Sequence, residues 1–248
     1  MAKELRFFYT PDVSKGELLQ DEAQHALRVL RLGVGDELNL MDGQGNYYRA
    51  EITTATGHRC LFKIIEKQEQ PCAWHGRVHL AMAPTKLNDR TEWFVEKATE
   101  IGADEFSFLD CQFSERRVLK TDRVEKIVVS AMKQSHKAWK PVVNEMITFR
   151  KFVEQEREGQ KFICHCYDAE DIAEKLCTPS CEKPHLKDVV NAEGDCTVLI
   201  GPEGDFSIDE VCLAIQHGYT PVSLGTSRLR TETAALVAVH IMQLKKQI

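Results

Sequence analysis

The sequence predicts an α/β protein built on a parallel sheet, preceded by a small β-rich unit. Three observations carry this. From about residue 77 onward, short apolar runs of strand character alternate with longer stretches of helical periodicity, the pattern of a parallel sheet with crossovers. Ahead of that, residues 1–70 hold short runs punctuated by Gly33, Gly35, Gly43 and Gly45, with Asp42-Gly43 as a hairpin signal. Near the end, two strand-like runs at 198–200 and 222–224 each break into a glycine-bearing loop and then a helical stretch.

Bulk properties set the limits. The 248 residues, 43% hydrophobic and 28% charged, suit one large or two smaller globular domains with a real core. No apolar run approaches the ~20 residues that span a bilayer. The opening Met-Ala-Lys-Glu-Leu-Arg-Phe-Phe has no apolar core of a secretory signal, so a soluble cytoplasmic protein is expected. The net charge of −6 does not by itself suggest a nucleic-acid partner.

In the first unit, residues 21–30 read as a short helix ending at Arg31-Leu-Gly33, and Glu37-Leu-Asn-Leu-Met41 and Tyr47-Tyr-Arg-Ala-Glu-Ile52 as antiparallel strands. Such a compact β unit is more often a binding module than a catalytic one. Arg6, Arg28 and Arg31 are its candidate RNA contacts, and Phe7 and Phe8 read as core. Residues 68–74, with Pro71, form the expected linker, which divides the chain into domains 1–72 and 73–248.

In the second domain, 77–82 is strand-like and 84–89 a loop. Residues 90–101 form a helix with Phe94, Ala98 and Ile101 on one face, closed by Gly102. A strand at 105–109 and a helix at 122–137, burying Val124, Ile127, Val128 and Ala131, follow; 162–166 and 198–200 continue the strand series. Residues 167–194 are polar, contain Pro179 and Pro184, and read as an irregular or partly helical insertion. Ser207-Ile-Asp-Glu210 is a capping box, opening a helix that stops at Gly218. The final helix begins near Thr231 and is apolar nearly all round, so it should be largely buried. Arg228 and Arg230 precede it, and Glu232 and Thr233 occupy its first turn.

Two clusters need weighing. Nine cysteines, an odd number, argue against a disulfide framework. Cys164 and Cys166 lie in a strand-like run where alternation puts them on one face and His165 on the other, and only Cys177 and Cys181 have a metal-like spacing. Reduced structural thiols and no metal are expected. Between Arg116 and Lys140, eight basic residues (Arg116, Arg117, Lys120, Arg123, Lys126, Lys133, Lys137 and Lys140) face only Asp122 and Glu125, with His136 and Trp139 among them. This excess can neutralise phosphates and Trp139 can stack on a base, although a solvated helix face explains a charge run as well.

The two glycine-bearing loops, leaving one end of neighbouring parallel strands, would form a crevice at the strands' carboxyl ends, where open α/β sheets bind ligands. Neither a Walker A motif nor G-x-G-x-x-G is present, and Glu203 and Asp205 would repel phosphate. A flat polar ligand, neutral or cationic, fits better.

Gly201-Pro-Glu-Gly-Asp-Phe-Ser207 followed by Leu224-Gly-Thr-Ser-Arg-Leu-Arg-Thr-Glu-Thr-Ala234 closely resembles the signature of the bacterial 16S rRNA (uracil-N3)-methyltransferase family, of the SPOUT class. The resemblance covers nearly the whole chain and includes Arg6-Phe-Phe, His25-Ala-Leu-Arg-Val-Leu-Arg-Leu32, Asp42-Gly-Gln-Gly45, Glu96-Lys-Ala-Thr-Glu-Ile-Gly102, Ser114-Glu-Arg-Arg117 and Ala131-Met-Lys-Gln-Ser135. It implies a PUA-like RNA-binding barrel, a SPOUT domain with a C-terminal trefoil knot, S-adenosyl-L-methionine bound in that knot, and a homodimer acting on 16S rRNA in the 30S subunit. By analogy the cofactor is held by Leu199, Ile200, Gly201, Pro202, Glu203 and Gly204, and by Leu224, Gly225, Arg228, Leu229, Arg230 and Thr233. RNA would meet Arg6, Arg28, Arg31, Arg116, Arg117 and Lys120.

The chain departs from the family at Asp205, where a second glycine is usual, at Thr226-Ser227, and at Lys86-Leu-Asn-Asp-Arg90, which has an extra residue and lacks a glycine. The implied reaction is direct methyl transfer to uridine N3, which must lose its proton first. Arg230 would stabilise the developing uracil anion, and Glu232 would take the proton or orient the arginine; alternatively Glu232 caps the helix and Arg230 pairs with it. Glu96, Lys97 and Glu100 face the substrate or form a surface salt-bridge row. Two other functions stay open: a SPOUT enzyme for a ribose 2′-oxygen or another base, and a non-catalytic ribosome-assembly factor.

Overall fold

The computed structural model describes residues 6–176 and 182–247. The chain divides into two compact units, Met1–Cys72 with Val129–Lys140, and Ala73–Val128 with Pro141–Ile248.

The first unit holds a four-stranded sheet of β1 (Phe7–Tyr9), β2 (Glu37–Met41), β3 (Asn46–Thr56) and β4 (Arg59–Glu69), in that order, with β1 parallel to β2 and the remaining pairs antiparallel. The Asp42 carboxylate organises the predicted hairpin turn: it accepts from Gln44 N at 2.7 Å, Asn46 N at 3.1 Å and the Tyr48 hydroxyl at 3.0 Å. This is how Asp stabilises a turn through its own backbone. Alternation along the strands sends Leu38, Leu40, Ala50, Ile52 and Phe62 into one core with Phe8; Phe7 is also buried, against Met41 and Met132. The helix predicted over 21–30 is α1 (Gln20–Gln24), which widens into a π-turn over His25–Val29.

The second unit is built on six parallel strands. In chain order its elements are β5 (Val78–Met82), α2 (Asn88–Ile101), β6 (Glu105–Asp110), α3 (Thr121–Gln134), β7 (Val142–Thr148), α4 (Phe149–Val153), β8 (Gln160–Cys164), α5 (Ala169–Leu176), α6 (Leu186–Val189), β9 (Cys196–Ile200), α7 (Ile208–Gln216), β10 (Thr220–Val222) and α8 (Thr231–Lys246). The C-terminal end of α3 clusters with the first unit. The sheet order is β10-β8-β9-β5-β6-β7, and every pairing is parallel. Central strands are buried on both faces, as a parallel sheet requires: all five residues of β5 and of β9 are buried. Leu80, Val198, Phe94 and Met242 pack on one face, and Leu199, Ile163, Phe206 and Phe149 on the other.

Three expectations change. The strand predicted over 222–224 is β10, which ends at Val222; it is an edge strand, which is why Pro221 is tolerated inside it. The strand predicted over 162–166 ends at Cys164, so His165 and Cys166 lie beyond it. The two glycine-bearing loops do not leave neighbouring strands, because β8 lies between β9 and β10. In addition, β7 and α4 were not foreseen; β7 is a half-exposed edge strand in which Asn144 and Glu145 break the apolar pattern. Predicted caps are present: Ser207 and Glu210 form the capping box, and Gly102 closes α2. The final helix is apolar as expected, yet His240 and Leu244 are exposed.

One buried polar cluster crosses this sheet. His79 on β5 is 3% exposed; its Nε2 lies 2.9 Å from Ser107 Oγ, and its Nδ1 lies 3.2 Å from both Thr197 Oγ1 and an Arg157 nitrogen. Burial, with Arg157 and Arg77 nearby, pushes its pKa down to about 3. Among the described residues no helix is long and apolar enough to cross a membrane.

Candidate active site

Val222, Cys164, Ile200 and Met82 are in register across β10, β8, β9 and β5. The chain leaves each strand at the same edge, and the loops that follow enclose a cavity of about 560 Å³. Cys164, His165 and Cys166 line it from β8; Ile200, Gly201, Pro202, Glu203, Gly204 and Asp205 from β9; and Ser223, Leu224, Gly225, Ser227, Arg228, Leu229 and Arg230 from the loop between β10 and α8. Arg90, Thr231 and Ala234 complete the wall from α2 and α8. Of the twelve residues expected to hold a cofactor, ten line this cavity. Leu199 points to the opposite face of β9, among Ile163 and Phe206, and Thr233 is half-buried in the first turn of α8, outside the lining.

The loop after β9 turns on small residues and is fastened at two points. A Cβ at Gly201 would stand 2.9 Å from the Phe206 nitrogen, so only glycine lets the chain fold back here. Asp205 N donates to Pro202 O at 2.9 Å, and Asp205 itself sits at φ 67°, the left-handed region that favours glycine and tolerates aspartate. Its carboxylate accepts from Cys166 N at 2.7 Å and from Phe206 N at 2.7 Å. Glu203 accepts from Lys86 N at 2.8 Å. Gly225, at φ 131°, makes the corresponding bend after β10.

Charge around the cavity is mixed. Arg228 and Arg230 are exposed on its rim. Glu232 is only 8% exposed, and the cation beside it is Arg90, whose Nη1 lies 3.5 Å from Oε1, and not Arg230. Glu232 Oε2 is buried with no hydrogen-bond partner. His165 is also buried with both ring nitrogens unpartnered, and burial plus the Lys183 ammonium lower its pKa to about 4. Burial likewise pushes the Cys164 thiol up to about 12, so it is no nucleophile. An imidazole held neutral, main-chain groups exposed at glycines and a rim of guanidinium groups suit a flat, hydrogen-bonding ligand.

The fold and the sequence agree with a known group of enzymes. The model of the RNA methyltransferase domain matches residues 73–243, and that of the RNA methyltransferase PUA domain matches residues 18–65. The chain belongs to the RNA methyltransferase family. It is 33% identical over 222 residues to the ribosomal RNA small subunit methyltransferase E of Synechocystis, covering 86% of this chain and 67% of that one. Among solved structures, a probable rRNA-methyltransferase from Porphyromonas gingivalis superposes with TM-score 0.86 at 40% identity, over 97% of this chain and 99% of that one. The ribosomal RNA small subunit methyltransferase E of Neisseria gonorrhoeae, solved bound to S-adenosyl methionine, superposes with TM-score 0.81 at 26% identity, over 97% and 98%.

The basic residues expected to meet RNA in this methyltransferase fall into two sets. In the first unit Arg6, Arg28 and Arg31 are exposed; Arg28 contacts the His58 ring at 3.2 Å, and Arg31 adopts φ 57° where the π-turn ends. In the second, Lys120 is exposed, Arg117 pairs with Asp110 at 2.5 Å, and Arg116 is turned inward onto the carbonyls of Thr85 and Lys86. Trp139 lies against Gly45 and donates to Gln70 O at 3.1 Å, leaving about half its surface open. Lys97 bridges Glu96 at 2.6 Å and Glu100 at 2.9 Å as a salt-bridge row. Among the described residues no group of three or more His, Cys, Asp or Glu can hold a metal ion; Cys177 and Cys181 lie outside them. Cys60, Cys72, Cys111, Cys164, Cys166, Cys196 and Cys212 carry free thiols.

Sequence reasoning missed Arg90, Cys164, His165, Cys166, Val222, Ser223, Thr231 and Ala234 as cavity residues. Arg90 carried a signal, since it ends the 86–90 stretch where the chain departs from the family, in the first turn of α2. Cys164 and the two residues after it carried none, because the place of β8 depends on sheet order.

Proposed function

We propose that this methyltransferase modifies N3 of one uridine in 16S rRNA, with S-adenosyl-L-methionine as methyl donor. The observation that carries the reading is the cavity on β8, β9 and β10, lined by Gly201 to Asp205 and by Gly225 and Ser227 to Arg230 in a chain of this family. The residues present fit the cofactor. Ile200, Leu224, Leu229 and Ala234 supply apolar surface for an adenine, while His165 offers two unsatisfied ring nitrogens. When bound, the cofactor supplies a methyl group on a sulfonium, already activated for transfer.

The protein's own work is then orientation and charge. The Arg230 guanidinium on the rim stabilises the uracil anion formed when N3 loses its proton. Glu232 holds Arg90 against the cavity wall, and for it to take the N3 proton itself its Oε2, closed off in this structure, must open onto the cavity. The target base leaves its stack to reach the cavity. Residues 1–72 serve as an RNA-binding domain and 73–248 as the methyltransferase domain. The C-terminal segment forms the trefoil knot of the SPOUT class, and the enzyme works in the cytoplasm as a homodimer on the small ribosomal subunit, without a metal.

The test is incubation with labelled S-adenosylmethionine and small subunits lacking the modification, followed by nucleoside identification. N3-methyluridine at one position is the expected product. Label on a ribose 2′-oxygen or another base refutes the assignment.

A further inference from the structure

Thr85 and Lys86, between β5 and α2, lie outside regular secondary structure, yet all four of their backbone polar groups are held by side chains. Thr85 N donates to Thr91 Oγ1 at 3.0 Å, and Lys86 N donates to Glu203 Oε1 at 2.8 Å. The Arg116 fork closes the other side: Nε donates to Thr85 O at 3.1 Å and Nη2 to Lys86 O at 2.7 Å. Thr85 is fully buried, so its groups must find partners within the protein, whereas Lys86 is exposed and its groups could be left to water. Here two charged residues and a buried threonine, from three separate segments, fix the backbone of two consecutive residues.

The loop leads directly into α2. Leu87 O accepts from Thr85 Oγ1 at 2.8 Å and from Arg90 N at 3.1 Å, so the loop's position sets the first turn of the helix and with it Arg90. Arg90 lines the cofactor cavity and lies 3.5 Å from the buried carboxylate of Glu232. Glu203 lies in the cavity wall after β9. A continuous set of contacts thus joins Arg116, the 85–87 loop, Arg90 and the first turn of α8, with Glu203 tying in the β9 loop.

We infer that Arg116 and Glu203 are positioning residues, which act through the Thr85–Lys86 peptides to place Arg90 in the cofactor cavity. Arg116 is therefore not a phosphate ligand, although it stands in a basic stretch. The inference rests on the cavity being the cofactor site. A lysine cannot replace Arg116, since a point charge does not span two carbonyls as a planar fork does.

The experiment measures S-adenosylmethionine binding by titration calorimetry, together with kcat and KM for small subunits across a salt series, for Arg116→Ala, Arg116→Lys, Glu203→Ala and Glu203→Gln. Arg116→Ala is expected to weaken cofactor binding about tenfold and to lower kcat, from the loss of hydrogen bonds to a charged donor. Arg116→Lys recovers little, and the salt slope of subunit binding stays at its wild-type value. Glu203→Gln, which keeps an acceptor for Lys86 N–H, falls between Glu203→Ala and wild type. Unchanged cofactor affinity in Arg116→Ala, with a raised KM and a shallower salt slope restored by lysine, would overturn the inference. Should Arg116→Ala fail to fold, the Glu203 pair decides alone: equal cofactor affinity in both variants and wild type overturns it. A wild-type protein that does not bind the cofactor would instead refute the proposed function.

Discussion

Asp205 offers the sharpest quantitative test of how the cavity is held. Its carboxylate joins the loop after β9 to Cys166 N, beyond β8, at 2.7 Å, and its backbone lies at φ 67°. Replacement by alanine removes a charge-assisted hydrogen bond worth about 2 kcal/mol, and the N–H of the exposed Cys166 turns to water. It also places a Cβ residue without a local acceptor in the left-handed region, at about 1 kcal/mol. Glycine loses the same bond but not the backbone term. Asparagine keeps both the left-handed tolerance and one acceptor oxygen. The expected losses are about 3 kcal/mol for Asp205→Ala, about 2 for Asp205→Gly and about 1 for Asp205→Asn. At about 2–4 °C per kcal/mol, the alanine variant should lose about 6–12 °C in Tm. The assay is thermal unfolding of the four proteins side by side. If glycine matches or exceeds wild type, the carboxylate does not tie the loop to Cys166; if alanine equals glycine, the backbone argument is wrong.

Other outcomes follow from the same geometry. His79 and His165 are lowered to about 3 and about 4, so the unfolded chain binds protons that the folded chain refuses. Their contribution is intact above pH ~6.5 and is lost as pH falls below it, by about 2 kcal/mol each at pH 5. Urea unfolding at pH 7 and pH 5 should show a smaller drop in His165→Gln than in wild type; equal drops contradict it. Arg90→Ala leaves the buried Glu232 carboxylate without its cation and should cost about 2 kcal/mol besides lowering kcat. Adding Glu232→Gln to that variant should restore stability but not turnover, and a double variant no more stable than Arg90→Ala counts against the pairing. Lys120→Ala and Arg31→Ala, both exposed, should each raise KM for the subunit and flatten its salt dependence by about one phosphate contact, with cofactor affinity unchanged.

Much of this was legible in the residues. Local signals gave the helix limits well: the Ser207–Glu210 box and the Gly102 terminator each act within a few residues of themselves. The Asp42-Gly43 signal placed the hairpin, although the turn is held by the Asp42 carboxylate as much as by glycine. What failed was long-range. Nothing in 198–200 or 222–224 tells that β8 stands between them, so the crevice was drawn with two walls when it has three. Edge strands failed for a related reason. β7 buries only part of one face, and Asn144, which donates to Glu105 at 2.7 Å and Ser107 at 2.9 Å, is a polar residue in a structural role. The inward turn of Arg116 onto the Thr85 and Lys86 carbonyls was not legible, because a charge run shows where cations cluster along the chain and not which one folds inward.

The two acidic residues of the β9 loop draw these points together. Their presence in the sequence argued for a cationic ligand, which treats each carboxylate as a free charge. In the sheet, β9 lies between β8 and β5. Asp205 reaches Cys166 in the loop after β8, and Glu203 reaches Lys86 in the loop after β5. Each carboxylate therefore ties the central loop to one of its two flanking loops, and three consecutive strand ends become a single frame. That frame accounts for the departure from the family at position 205: a second glycine supplies the left-handed turn alone, whereas aspartate supplies the turn and the cross-link. Preorganisation of this kind lets binding energy go into orienting the reactants and not into ordering loops. Both residues also line the cavity, so their charge acts on a bound sulfonium while their hydrogen bonds stiffen the wall.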